Sequence, residues 1–100
     1  MDFGVAVSSE GGVTVVAVRG ELDLDTAETF ASALSDGVRS GQPEVRVDMS
    51  GVTFIDSSGL RCLIGAYKTL AAEDRVLRVV EPSRTVVRLL KATGQFERFT

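Results

Sequence analysis

Residues 45–60, V-R-V-D-M-S-G-V-T-F-I-D-S-S-G-L, change period partway along. Val45, Val47 and Met49 alternate with Arg46 and Asp48, the two-residue repeat of a strand with one buried face. From Leu60 the apolar residues fall instead at Leu63, Ile64, Tyr67, Leu70 and Ala71. Spacings of three and four place them on one side of a helix. The connection between strand and helix, F-I-D-S-S-G, carries one acid, two adjacent hydroxyls and a glycine.

Working outward, Val5 and Val7 alternate with smaller residues, and Gly11-Gly12 predicts a hairpin turn into a second strand over 13–19. The chain then turns acidic, E-L-D-L-D at 21–25. Asp25 is expected to cap a helix, with Glu28 reaching back from three residues on. Ala27, Phe30, Ala31, Leu34 and Val38 keep the helical repeat, and Gly41 suits its stop. Downstream, a strand over 76–80 ends before Pro82. A third helix carries Val86, Val87 and Leu90 and stops at Gly94, after which Phe96 and Phe99 are expected to dock on the core. The order β-β-α-β-α-β-α predicts one α/β domain over 1–100, a mixed, largely parallel sheet with helices packed against it. Connections at strand ends are where such folds place function, which singles out D-S-S-G.

A chain of 100 residues supports a single core, and 44 % apolar with 25 % charged residues is an ordinary globular composition. The net charge of −3, with acids and bases interleaved, argues against a nucleic-acid surface. No apolar run approaches the roughly 20 residues of a membrane span, so no membrane insertion is expected. The opening M-D-F-G has an acid where a signal peptide would be basic. One cysteine forms no internal disulfide and needs no oxidising compartment, so a cytoplasmic location is expected. The chain has no histidine, which removes Ser-His-Asp and Cys-His machinery. The position two before Ser58 is Asp56 rather than the glycine of a nucleophile elbow, and neither glycine-rich phosphate loop is present. No enzymatic activity, cofactor or metal is expected.

Helix starts favour Asp, Ser and Thr because their oxygens accept from unpaired backbone N–H groups. One of Asp56, Ser57 and Ser58 suffices for that. Gly59 costs about 1 kcal/mol relative to alanine in a helix. The sequence shows no structural return for it beyond leaving the adjacent hydroxyl open to a partner. Capping, partner contact and covalent modification all stay open for the serine pair on these residues. The acids Glu21, Asp23, Asp25 and Asp48 raise a metal site or a phospho-accepting aspartate. A receiver domain would need an acidic pair just after the first strand, where only Glu10 stands. Cys62 reads as a small residue on a helix flank, and the basic positions between 84 and 91 as a solvated helix face.

The run V-D-M-S-G-V-T-F-I-D-S-S-G-L at 47–60, preceded by G-E-L-D at 20–23 and followed by A-T-G-Q-F at 92–96, resembles the STAS domain. More narrowly it resembles the bacterial anti-sigma factor antagonists. The resemblance spans nearly the whole chain. It implies that Ser58, the second residue of the hydroxyl pair, is phosphorylated by an anti-sigma factor that is itself an ATP-dependent serine kinase. Unphosphorylated antagonist would hold the anti-sigma factor and free the sigma factor, phosphorylation would release it, and a phosphatase would reset it. Asp23 is implied to lie beside the phosphorylated turn. Partner contacts are expected from Asp23, Asp56, Ser57, Ser58, Gly59 and Arg61, in a monomer or weak dimer. The kinase would supply Mg²⁺, base and ATP. A STAS subunit of a lipid-transport ATPase or a stressosome scaffold is the alternative.

A phosphate adds about −1.5 to −2 charges, which a helix N-terminus tolerates but an acid-bordered interface does not. Arg61, three residues after Ser58, is open to neutralising the phosphate, meeting an acidic partner or staying solvated.

Overall fold

The computed structural model describes residues 3–100. Gly11 and Gly12 hold φ of 61° and 86°, the left-handed values that a tight two-residue hairpin turn requires. Strand β1 (Gly4–Glu10) therefore returns as β2 (Val13–Leu22), antiparallel to it. Helix α1 (Ala27–Arg39) crosses to β3 (Glu44–Ile55), which lies parallel to β2. Helix α2 (Ser57–Ala71) crosses in turn to β4 (Val76–Val80), parallel to β3. The strands stand in the order β1-β2-β3-β4, and α3 (Arg84–Ala92) and α4 (Phe96–Phe99) follow. The expected α/β architecture is the one observed, with one short helix added.

One face of the sheet makes the core. Val16, Val18 and Leu22 of β2, Val45, Val47 and Met49 of β3, and Leu77 and Val79 of β4 are buried with Phe30, Leu34, Leu63, Leu70, Val86 and Leu90 from the helices. Between them on the strands, Arg46 and Arg78 point to solvent and share Glu44, at 2.7 and 3.8 Å. The apolar alternation read from β3 thus faces the helices, and the charged alternation faces water. Phe99 is buried edge-on against Tyr67, ring centroids 5.5 Å apart, and Phe96 packs at the core's margin.

Two expectations need correction. Asp25 does not cap α1, which starts one residue later behind Thr26. The Asp23 carboxylate takes the N–H groups of Asp25 (3.0 Å) and Thr26 (3.3 Å), folding a turn ahead of the helix and leaving the Asp25 side chain in solvent. The strand read at 45–49 also runs further, to Ile55, and only Asp56 separates it from α2. The register against β2 shifts twice, between Ala17 and Arg19 and between Gly20 and Glu21. Each shift puts an extra residue into β3, so its buried positions move from 45, 47 and 49 to 52 and 55. Bulges of this kind erase the alternation from which a strand is read.

Candidate functional site

The bulges deliver Leu22 and Ile55 side by side at the ends of β2 and β3, both buried. Two turns leave from that pair. In the first, the Thr26 hydroxyl donates to the Glu21 carbonyl (2.8 Å) and accepts from the Asp23 N–H (3.0 Å). With the Asp23 carboxylate bonds, this makes a self-contained knot. In the second, Asp56 is extended (φ −120°, ψ −170°) and its Oδ1 accepts from the Ser58 N–H at 2.8 Å. The Asp56 N–H donates to the Leu22 carbonyl at 3.2 Å, which stitches the two turns together.

The acid therefore carries the capping duty. Ser57 is exposed and Ser58 half-buried, and no hydrogen bond ties either hydroxyl to another described residue. Asp23 and the Asp56–Ser58 segment, expected to lie close, share the corner through Leu22 and Asp56.

Gly59 is not the idle residue that the sequence suggested. It is buried, and a Cβ there would stand 2.7 Å from Leu22 Cγ and 3.1 Å from Ile55 Cγ1. The first of these is shorter than real Cβ contacts and the second tighter than most, so glycine is what lets α2 start directly on the strand ends without displacing Leu22. Arg61 is exposed one turn further on, and no ion pair engages it among the described residues. Cys62 is half-buried between α1 and α2, its thiol aimed at the Ala27 carbonyl at 3.6 Å. Burial pushes that thiol's pKa up, despite the opposing pull of Arg61.

The remaining acids do not assemble into a receiver-like pocket. Glu10 sits at the hairpin, at the far end of β2 from Leu22, and Asp48 accepts the Ser50 N–H at 3.0 Å. Among the described residues no three of Cys, Asp and Glu are grouped to hold a metal ion. Among the described residues no helix is long and apolar enough to cross a membrane.

Sequence reasoning missed Leu24 and Phe54, which are 78 % and 46 % exposed beside this corner. The signal for Leu24 was present: an aliphatic residue between two aspartates, outside either repeat.

A mixed sheet covered on one face, with a helix start at its strand ends that an aspartate caps and whose two serine hydroxyls bond to no other described residue, defines the α/β domain. Residues 5–100 match the STAS domain, and the chain belongs to that family. It is 28 % identical over 94 residues to the anti-sigma-B factor antagonist of Staphylococcus aureus (strain NCTC 8325 / PS 47), covering 94 % of this chain and 87 % of that one. A crystal structure of an anti-sigma factor antagonist from Mycobacterium paratuberculosis matches with a TM-score of 0.89 at 31 % identity, over 98 % of this chain and 83 % of the other. The Bacillus cell fate determinant SpoIIAA in its phosphorylated form shares the fold, with a TM-score of 0.73 at 21 % identity over 98 % and 87 % of the two chains.

Proposed function

We propose that this chain is an anti-sigma factor antagonist that docks through the Asp23–Asp56 corner and is switched off by phosphorylation of Ser58. The observation that carries this reading is the cap. Asp56 occupies the Ser58 N–H, so the Ser58 oxygen has no structural duty and is available to a kinase. The names of the relatives described above support the anti-sigma factor as partner.

In the transfer, the Ser58 oxygen attacks the γ-phosphorus of ATP, ADP leaves, and the hydroxyl proton passes to a base of the kinase. This chain contributes the hydroxyl and its placement, and catalyses nothing itself. The product carries about 1.5 to 2 further negative charges beside Asp56 and Asp23. The helix N-terminus offsets them within the fold. Burial against a partner removes the water that screens them, so the complex weakens while the domain stays folded. A separate phosphatase restores the hydroxyl.

The test uses the anti-sigma factor kinases of the source bacterium, purified and incubated one by one with this chain and Mg-ATP. One of them should add a single phosphate, placed on Ser58 by fragmentation mass spectrometry. Ser58→Ala should abolish incorporation and keep binding. A phosphate on Ser57 would move the site by one residue, and one outside the pair would sink the mechanism.

A further inference from the structure

We infer that Leu24 and Phe54 are the apolar anchors of the docking surface, and that Leu24 selects which anti-sigma factor is bound. The inference rests on the proposed function and names what recognises the partner there.

Among the described residues four large apolar side chains are exposed: Val7, Leu24, Phe54 and Val76. Val7 and Val76 lie on the two edge strands, β1 and β4. Leu24 and Phe54 bracket the corner instead. Leu22 and Ile55 are register partners with both side chains in the core. Glu21 and Phe54 are the preceding pair, and Phe54 turns outward. Leu24 follows Leu22 by two residues and is the more exposed of the two anchors at 78 %.

Leu24 is held out rather than left loose. The Asp23 carboxylate bonds to the N–H groups of Asp25 and Thr26, and the Thr26 hydroxyl closes onto the Glu21 carbonyl, so the backbone on both sides is fixed. With its backbone already fixed, Leu24 gives up only side-chain entropy on binding, which favours it as an anchor. Glu21, Asp23 and Asp25 neighbour Leu24 along the chain, Glu21 is also the register partner of Phe54, and Asp56 stands two residues beyond Phe54, so an acidic rim borders both anchors. The matching surface is therefore an apolar pocket ringed by arginine or lysine. An anionic lipid surface or a nucleic acid would be repelled by the same rim. A protein with a basic-rimmed pocket fits, and the anti-sigma factor is the partner assigned to this corner.

The choice of Leu24 as selector follows from its exposure. With so little of its side chain against the fold, residue 24 can change without loss of stability. Phe54, half-covered on a strand, has less freedom to vary.

The experiment measures binding and phosphorylation with the anti-sigma factor kinase that modifies the wild-type chain. Leu24→Ser and Phe54→Thr should each raise Kd and KM about tenfold or more, as anchor truncations do. Val7→Ser and Val76→Ser, of comparable exposure to Phe54 but away from the corner, should stay within about twofold, as peripheral positions do. Thermal unfolding of all four should confirm that they fold. Equal Kd for wild type, Leu24→Ser and Phe54→Thr, with Ser58 still phosphorylated, overturns this inference and leaves the proposed function standing. A loss as large in Val7→Ser or Val76→Ser also overturns it. If no anti-sigma factor kinase of the source bacterium binds the wild type, the proposed function and this inference fall together. A change of preferred kinase on Leu24 replacement, at unchanged stability, establishes the selector role.

Discussion

The two turns at the ends of β2 and β3 begin with the same residue type and use it differently. Asp23 spends its carboxylate on a turn before α1, and the hydroxyl in that turn, Thr26, is bonded on both sides. Asp56 spends its carboxylate directly on the cap of α2, and the hydroxyls that follow are left free. Where the acid builds a turn, the hydroxyl is structural; where the acid caps, the hydroxyl is surplus. A surplus hydroxyl at a helix start is what a modifying enzyme can use without disturbing the fold.

The harshest way to break that contrast is to push the two turns apart. Gly59→Ala would ordinarily favour a helix by about 1 kcal/mol. Here its Cβ meets Leu22 at 2.7 Å, and the overpacking should cost about 1–3 kcal/mol instead. Urea denaturation decides the sign, and a stabilised variant would mean that α2 can back away from the strand ends.

Asp56→Ala removes the cap and should lower stability by about 0.5–2 kcal/mol. Asp56→Asn, which keeps an acceptor oxygen, should recover most of that in the same denaturation series. The first turn answers differently. Asp23→Ala should cost about 1 kcal/mol through its lost bonds to Asp25 and Thr26 N–H, and Asp23→Asn should cost less than half of that. If Asp23→Ala proves neutral, the turn holds its shape without the carboxylate.

The smallest stability effect should come from Ser58, the proposed switch residue. Ser58→Ala should fall within about 0.5 kcal/mol of wild type, because Ser58 caps nothing. Ser58→Asp should fold equally well, since an acid near a helix N-terminus is favourable. It should nevertheless bind the anti-sigma factor more weakly by titration calorimetry, and rising salt should narrow the difference. Tight binding by Ser58→Asp at low salt would shift the switch from charge to bulk or shape.

Most of the fold was legible in the sequence, because the hairpin glycines, the β4 run and the helical repeats of α1 and α2 are local signals. The far half of β3 was not, because its two bulges displace Val52 and Ile55 from the alternation that Val45, Val47 and Met49 set up. The α1 cap was misread for a related reason: three acids in five residues offer several caps, and only the distances to the Asp25 and Thr26 N–H groups select the turn. At the site, D-S-S-G stood out at once, yet which of the three polar residues caps was open until the Asp56–Ser58 bond was seen. The role of Gly59 depends on Leu22, far away in the chain, and no local pattern could report it.

The division of labour at the start of α2 also bears on how the proposed switch would fail by mutation. Because Asp56 holds the helix, a codon change that removes the Ser58 hydroxyl should leave a folded protein that still docks and is never released. Loss of the acceptor is therefore expected to behave genetically as an always-on allele, dominant over a normal copy. Damage to Asp56 or Gly59 should instead deplete the protein and behave as recessive. The two phenotypes, opposite in sign, would come from residues within one turn of the same helix.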